Sequence, residues 1–403
     1  MMNSGDTAFV LIATAMVMLM TPAGLALLYG GLSNKKNVMN TVGMSYVAFC
    51  LANIVWVVAG YSIAFGPDGH PVFGSVKNLF LKNIPIDQLV GSIPEMLFVA
   101  FQGVFAAIAV ALVCGSVVGR LKFKSWIIFS ILWVLFVYAP LVRMIWGEGL
   151  LNGLGDLDFA GGTVIHINAG VAGLLLSILL GKRKEKNLFE ASPSSSKLTI
   201  LGSAILWFGW FGFNAGSQLA ADGIAANALL VTNVAACAGG LAWMGIEWYS
   251  RKKPSILGLA SGAISGLVGI TPAAGYVGMD GALIIGLVSG LVGYYGVVHL
   301  KKTLNYDDTL DVFGIHGLVG IWGALATGLF ADPSINGEAG LFYGNPYQMI
   351  PQIKVIALTI AFSLTGTFIL YKFTGFLTRG TRVDEVTELR GIDKAYHKEK
   401  SFS

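Results

Sequence analysis

Residues 158–170 read D-F-A-G-G-T-V-I-H-I-N-A-G, an acid opening an apolar run that carries a histidine, His166, two turns inside it. An ionisable side chain in hydrocarbon costs about 2.5 kcal/mol or more, so membrane helices keep one where a pore, a relay or a binding site needs it. A histidine merely hydrogen-bonded in a helix contact is the alternative. The same pattern returns at 311–320, D-V-F-G-I-H-G-L-V-G, where a second acid precedes a second histidine, His316. Two such stretches predict matching helices whose histidines line one pathway.

The rest of the chain sets these stretches in a membrane. Of 403 residues, 55% are hydrophobic and 12% are charged, against about 25% charged in soluble domains. That composition reads as an all-α polytopic membrane protein. The 53 glycines fit it, since small residues let membrane helices approach closely where lipid offers no hydrophobic drive. The net charge of +4 is small, and no nucleic-acid partner is expected. Cys50, Cys114 and Cys237 lie in apolar runs without C-x-x-C spacing, so neither a zinc site nor a disulfide framework is indicated and no cofactor is expected.

Crossing ~30 Å of hydrocarbon takes about 20 residues. Eleven runs qualify, at about 8–31, 40–65, 96–118, 125–142, 158–180, 198–218, 226–249, 255–273, 277–298, 312–331 and 352–377. The first is too long for a signal-peptide core and reads as a retained helix. Of the 26 Lys and Arg residues, 22 fall in alternate loops and the tail, and Lys77, Lys82, Arg143 and Lys354 fall on the other side. The positive-inside rule then predicts an outer N-terminus and a cytoplasmic C-terminus. His166 lies in run five and His316 in run ten. Two five-helix halves, about 8–180 and 198–331, must therefore be inverted relative to each other, with 352–377 as an extra helix. Inverted repeats put a transporter's site near the midplane. Residues 1–377 form the membrane domain, and 378–403 read as a cytoplasmic segment, either a free tail or a docking strap. The loop A-S-P-S-S-S-K at 191–197 reads as polar and solvated.

Further motifs extend the pattern: P-A-G-L-A-L-L-Y-G-G-L (22–32), F-Q-G-V-F-A-A-I (101–108), W-G-E-G-L-L-N (146–152), L-W-F-G-W-F-G-F-N-A-G-S (206–217), T-P-A-A-G-Y-V (271–277) and D-D-T-L-D-V-F-G-I-H-G-L-V-G (307–320). In order and spacing these resemble the ammonium transporter (Amt/Mep/Rh) family, of the Amt branch. The resemblance implies a homotrimer in the cell membrane with one pore per subunit. It also implies ammonium or ammonia as substrate, methylammonium as analogue, and no enzymatic activity.

It implies residue roles as well. His166 and His316 match the twin pore histidines; each neutral imidazole has one donor and one acceptor nitrogen, so adjacent rings can share a proton. Trp146, Phe105 and Ser217 match an outer recruitment site. An aromatic face attracts a desolvated cation by ~2 kcal/mol, although a lone Trp near a membrane end otherwise reads as an interfacial belt. Phe105 and Phe213 match stacked phenylalanines closing the pore, with Phe101 one turn away. Asp158 is expected to cap run five through the N–H groups of Ala160 and Gly161, with some long-range support for a cation; Asp311 is expected to cap run ten likewise. R-G-I-D-K-A-Y-H-K-E (390–399) resembles the family's tail motif, which implies a PII-type regulatory protein docking at the cytoplasmic face. Lys398 stands where the motif has a glycine, a residue suited to a positive backbone angle. The rival functions are an ammonium sensor, which a fused signalling domain would favour, and a membrane enzyme, which a nucleophile or metal constellation would favour.

Overall fold

The computed structural model describes residues 1–184 and 193–399; the first two residues of the 191–197 loop lie outside that range. Ten helices among the described residues are long and apolar enough to cross a membrane, and a shorter apolar helix, Ile256–Ile270, occupies the eighth run. In chain order they are α1 (Ser4–Leu32), α2 (Lys35–Phe65), α3 (Glu95–Cys114), α4 (Phe123–Ile145), α5 (Gly162–Leu180) and α6 (Ser196–Gly216). They continue as α7 (Gly223–Arg251), α8 (Ile256–Ile270), α9 (Met279–Thr303), α10 (Phe313–Phe330) and α11 (Pro346–Thr378). Helices prevail because lipid offers backbone groups no partner, and a helix satisfies them internally.

Polar residues mark the starts. Asn3 accepts from the N–H groups of Gly5 and Asp6, Ser195 from Leu198, Asp222 from Ala225 and Ser255 from Gly258. α1 contains a π-helical turn at Met20–Leu25 around Pro22, and α4 has another at Val134–Tyr138 just before Pro140, as expected where proline disrupts the ladder. α3 is buried on nearly all sides, and α2 and α1 pack against it. α7, α8 and α9 form a tightly packed group. α11 lies along α5, α4 and α10.

After α11 the chain does not hang free. Lys122 N–H donates to the Thr381 carbonyl at 2.8 Å and Val383 N–H to the Arg120 carbonyl at 3.0 Å. The short helix α12 (Glu385–Arg390) follows. Asp393 then accepts from Met39 N–H at 3.0 Å and Asn40 N–H at 2.8 Å, capping the main segment of α2. His397 bonds Asn40 Oδ1 at 3.1 Å and packs edge-on against Phe123. Of the two expectations for the tail, the strap is the one observed. Lys398 takes a φ of +56°, the angle the motif's glycine would supply without strain.

Candidate functional site

His166 and His316 both sit on π-helical turns, Gly162–Ile167 in α5 and Phe313–Leu318 in α10. A π turn packs one extra residue into the helix and re-aims its side chains, a feature concentrated at functional sites. The two helices cross where each carries a glycine. A Cβ on Gly170 would stand 2.3 Å from the Gly317 nitrogen, so only glycine admits this approach. The imidazoles consequently meet nearly parallel, with ring centres 5.2 Å apart at 21° and the two Nδ1 atoms 3.2 Å apart. At that separation one Nδ1 can donate a hydrogen to the other, the tautomers deciding which. His166 Nε2 is buried and has no partner among the described residues.

A file of rings leads to this pair. Trp146 meets Phe105 edge-on at 6.3 Å, Phe105 stacks on Phe213 at 4.3 Å and 23°, and Phe213 lies over His166 at 6.1 Å. Phe105, Phe213 and His166 are each 1% exposed and Trp146 is partly exposed, so the file runs from an accessible ring to a buried centre. Phe101 touches Phe105 at 4.8 Å but makes no ring contact with Phe213 or the histidines among the described residues. Sequence reading missed Trp210, which stacks on His166 at 5.5 Å and 18° while its Nε1 donates to Thr271 Oγ1 at 2.9 Å. The signal was the repeated W-F-G at 207–212, where the second tryptophan sits three residues before Phe213.

Ser217 ends α6, and its hydroxyl donates to the Phe213 carbonyl at 2.8 Å. Its oxygen keeps lone pairs for an incoming N–H. Asp158 does cap α5, but one residue later than expected. Its carboxylate accepts from the N–H groups of Gly161, Gly162 and Thr163 at 3.0, 2.6 and 3.0 Å, and from the Thr163 hydroxyl. Ala160 is not a donor because Gly161, at φ +107°, turns the following N–H groups onto the carboxylate. The Asp158 carbonyl accepts the Trp146 indole N–H at 3.1 Å, which fixes the plane of that ring.

Asp311 does not cap α10. Asp308 does, accepting from Phe313 N–H at 2.7 Å, while Asp311 pairs with Lys301 at 2.7 Å. Asp311 has a φ of +62°, which carries its side chain off the helix axis. Nearby, Asp307 binds Arg120 at 2.8 Å and Arg183 at 2.7 Å, with Arg120 fully buried. Burial pushes the Asp307 carboxyl up, but hydrogen bonds and charge from Arg183, with the charge of Arg120, outweigh it and hold the group below its ordinary value. Glu388 of the tail continues the network, accepting Lys184 N–H at 2.6 Å and pairing with Arg382 at 2.8 Å.

Among the described residues no three His, Cys, Asp or Glu side chains gather as metal ligands. The site has room for contacts from rings and imidazole nitrogens, and among the described residues no carboxylate pairs with either histidine. Residues 8–402 match the model of the Ammonium Transporter Family. The chain is similar to an ammonium transporter of Aquifex aeolicus, with 46% identity over all of this chain and 94% of that one. It superposes on the crystal structure of Candida albicans Mep2 with a TM-score of 0.89 and 35% identity, covering 96% of this chain and 87% of that one. It also superposes on a structure titled Sensor Amt Protein, with a TM-score of 0.89 at 27% identity, covering 97% of this chain and 98% of that one.

Proposed function

The chain belongs to the ammonium transporter family, and from that premise we propose that it recruits ammonium at Trp146, Phe105 and Ser217, removes a proton there and conducts neutral ammonia inward. The ammonia passes the Phe105–Phe213 gate and then His166 and His316. The observation carrying this reading is the file of rings, buried beyond Trp146, that ends in two imidazoles with Nδ1 atoms 3.2 Å apart. Bringing an ion into such a path costs tens of kcal/mol by idealised solvation, a penalty a neutral molecule avoids. Ammonium can shed its charge by losing a proton, and potassium cannot. Selectivity therefore follows from obligatory deprotonation, and the shared hydrogen offers the released proton a separate relay.

In this reading the Trp146 face is outer and the basic-loop face is cytoplasmic. Residues of about 8–180 and 198–331 act as inverted repeats about the histidine pair, and 352–377 braces them. Asp158 serves as an anchor that also orients Trp146, since backbone donors occupy its carboxylate. Three copies assemble in the cell membrane, and the docked tail presents the surface for a PII-type regulator. Ammonium sensing is the second reading, favoured by the likeness to the Sensor Amt Protein. The higher identity to the Aquifex transporter favours transport. Purified protein in liposomes decides between them: saturable methylammonium uptake above empty vesicles is expected, and uptake equal to empty vesicles would leave only sensing.

A further inference from the structure

A cavity of about 510 Å³ lies beside the ring file, with Trp146 as part of its wall. Tyr61 and Phe65 of α2 and Phe98 of α3 supply further aromatic walls. Glu95, 6% exposed, lines it from the first turn of α3, and its Oε1 accepts the Tyr61 hydroxyl at 2.7 Å. Glu148 stands exposed on the lining. Arg143, expected from sequence in a loop, is instead 4% exposed; its Nη1 donates to the Gly66 carbonyl at 3.2 Å and its Nε has no partner among the described residues. Among the described residues neither Glu95 nor Arg143 forms an ion pair.

A buried carboxylate is ordinarily paired or bound to a cation. Glu95 instead faces a chamber whose charged lining, two carboxylates against one guanidinium, favours a cation, and whose walls include four aromatic rings of the kind that can attract one. We propose that this chamber is a second cation site, an antechamber in which Glu95, Tyr61 and the outer face of Trp146 hold ammonium before it reaches the recruitment site. Arg143 opposes that occupancy and weakens it enough for the ion to move on. Binding that is favourable yet easily left is what conduction through successive sites requires. The role as antechamber rests on the transport reading, whereas the cation site itself does not.

Two measurements separate the claims. Crystals soaked in thallium(I), an electron-dense cation of ammonium's size, should show anomalous density between Glu95 and Trp146 that disappears in Glu95→Gln. No density there in the wild type overturns the site. In liposomes, Glu95→Gln keeps an acceptor for Tyr61 and should raise the half-saturating methylammonium concentration roughly three- to tenfold at low salt, with unchanged maximal rate. Arg143→Gln should lower it. Both shifts should shrink in about 1 M salt, where the screening length falls to ~3 Å. Unchanged half-saturation in a folded Glu95→Gln protein overturns the antechamber, and if that variant does not fold, an unchanged or raised value for Arg143→Gln does so. Density without wild-type uptake would keep the cation site while removing the transport reading.

Discussion

The centre of the molecule and its basic-loop face hold their polar groups by opposite means. At the centre, two imidazoles meet through one hydrogen bond, and their placement depends on π turns and on the approach of Gly170 to Gly317. At the basic face, Asp307 pairs with both Arg120 and Arg183, and Glu388 pairs with Arg382. The centre is specified by backbone shape. The basic face is specified by charge, and losing one member strands another. Changes at the centre should therefore alter what crosses, and changes at the basic face should alter whether the protein holds together or is regulated.

The sharpest separation comes from Asp307→Ala, which leaves Arg120 buried without its carboxylate. A loss of about 3–5 kcal/mol is expected for breaking a buried pair from one side, read as a large drop in thermal midpoint in detergent, with the selectivity of surviving protein intact. Acid should act in the same direction. Because the folded Asp307 value is depressed, its contribution is complete above the ordinary carboxylate range and is lost as pH falls through that lower value. A midpoint equal to wild type would show the network to be decorative. Truncation after Arg379 probes the same face less severely. If the proposed regulation holds, reduced transport by folded protein and a weaker pull-down of a PII-type protein are expected, and normal values of both would leave the strap without a role.

How much of this contrast the sequence disclosed follows from its physics. The spans were legible because lipid leaves an apolar run of ~20 residues few alternatives to a helix. The histidines were legible because an ionisable group there is costly. Asp308 and Asp311 were interchangeable on paper, since both precede the run; a positive φ at Asp311 decided between them. Arg143 counts as a loop cation by position, yet it folds back toward the Gly66 carbonyl. The π turns left no hydropathy signal, because one extra residue in a turn does not change composition. The W-F-G repeat marked Trp210, but its stacking on His166 is a tertiary contact that spacing does not encode.

Two smaller effects bound the comparison. Trp146→Leu should weaken recruitment by ~1–2 kcal/mol, about tenfold in apparent methylammonium affinity; superimposable saturation curves would reduce Trp146 to an interfacial belt residue. Lys398→Gly should stabilise the docked tail by about 1 kcal/mol, because a side chain at positive φ is strained. Hydrogen exchange over 385–399 would register it as slower exchange, and faster exchange would show that the lysine side chain contributes more than its backbone costs.

The central claim, that selectivity arises from ammonia passing two imidazoles as a neutral molecule, meets its most direct test in the variant carrying apolar residues at both His166 and His316. Methylammonium uptake into liposomes is measured with and without excess potassium, on protein shown to be folded. The expected result is loss of uptake, or uptake that potassium now competes away. Unchanged flux together with unchanged exclusion of potassium would contradict the account and remove the histidines from the mechanism.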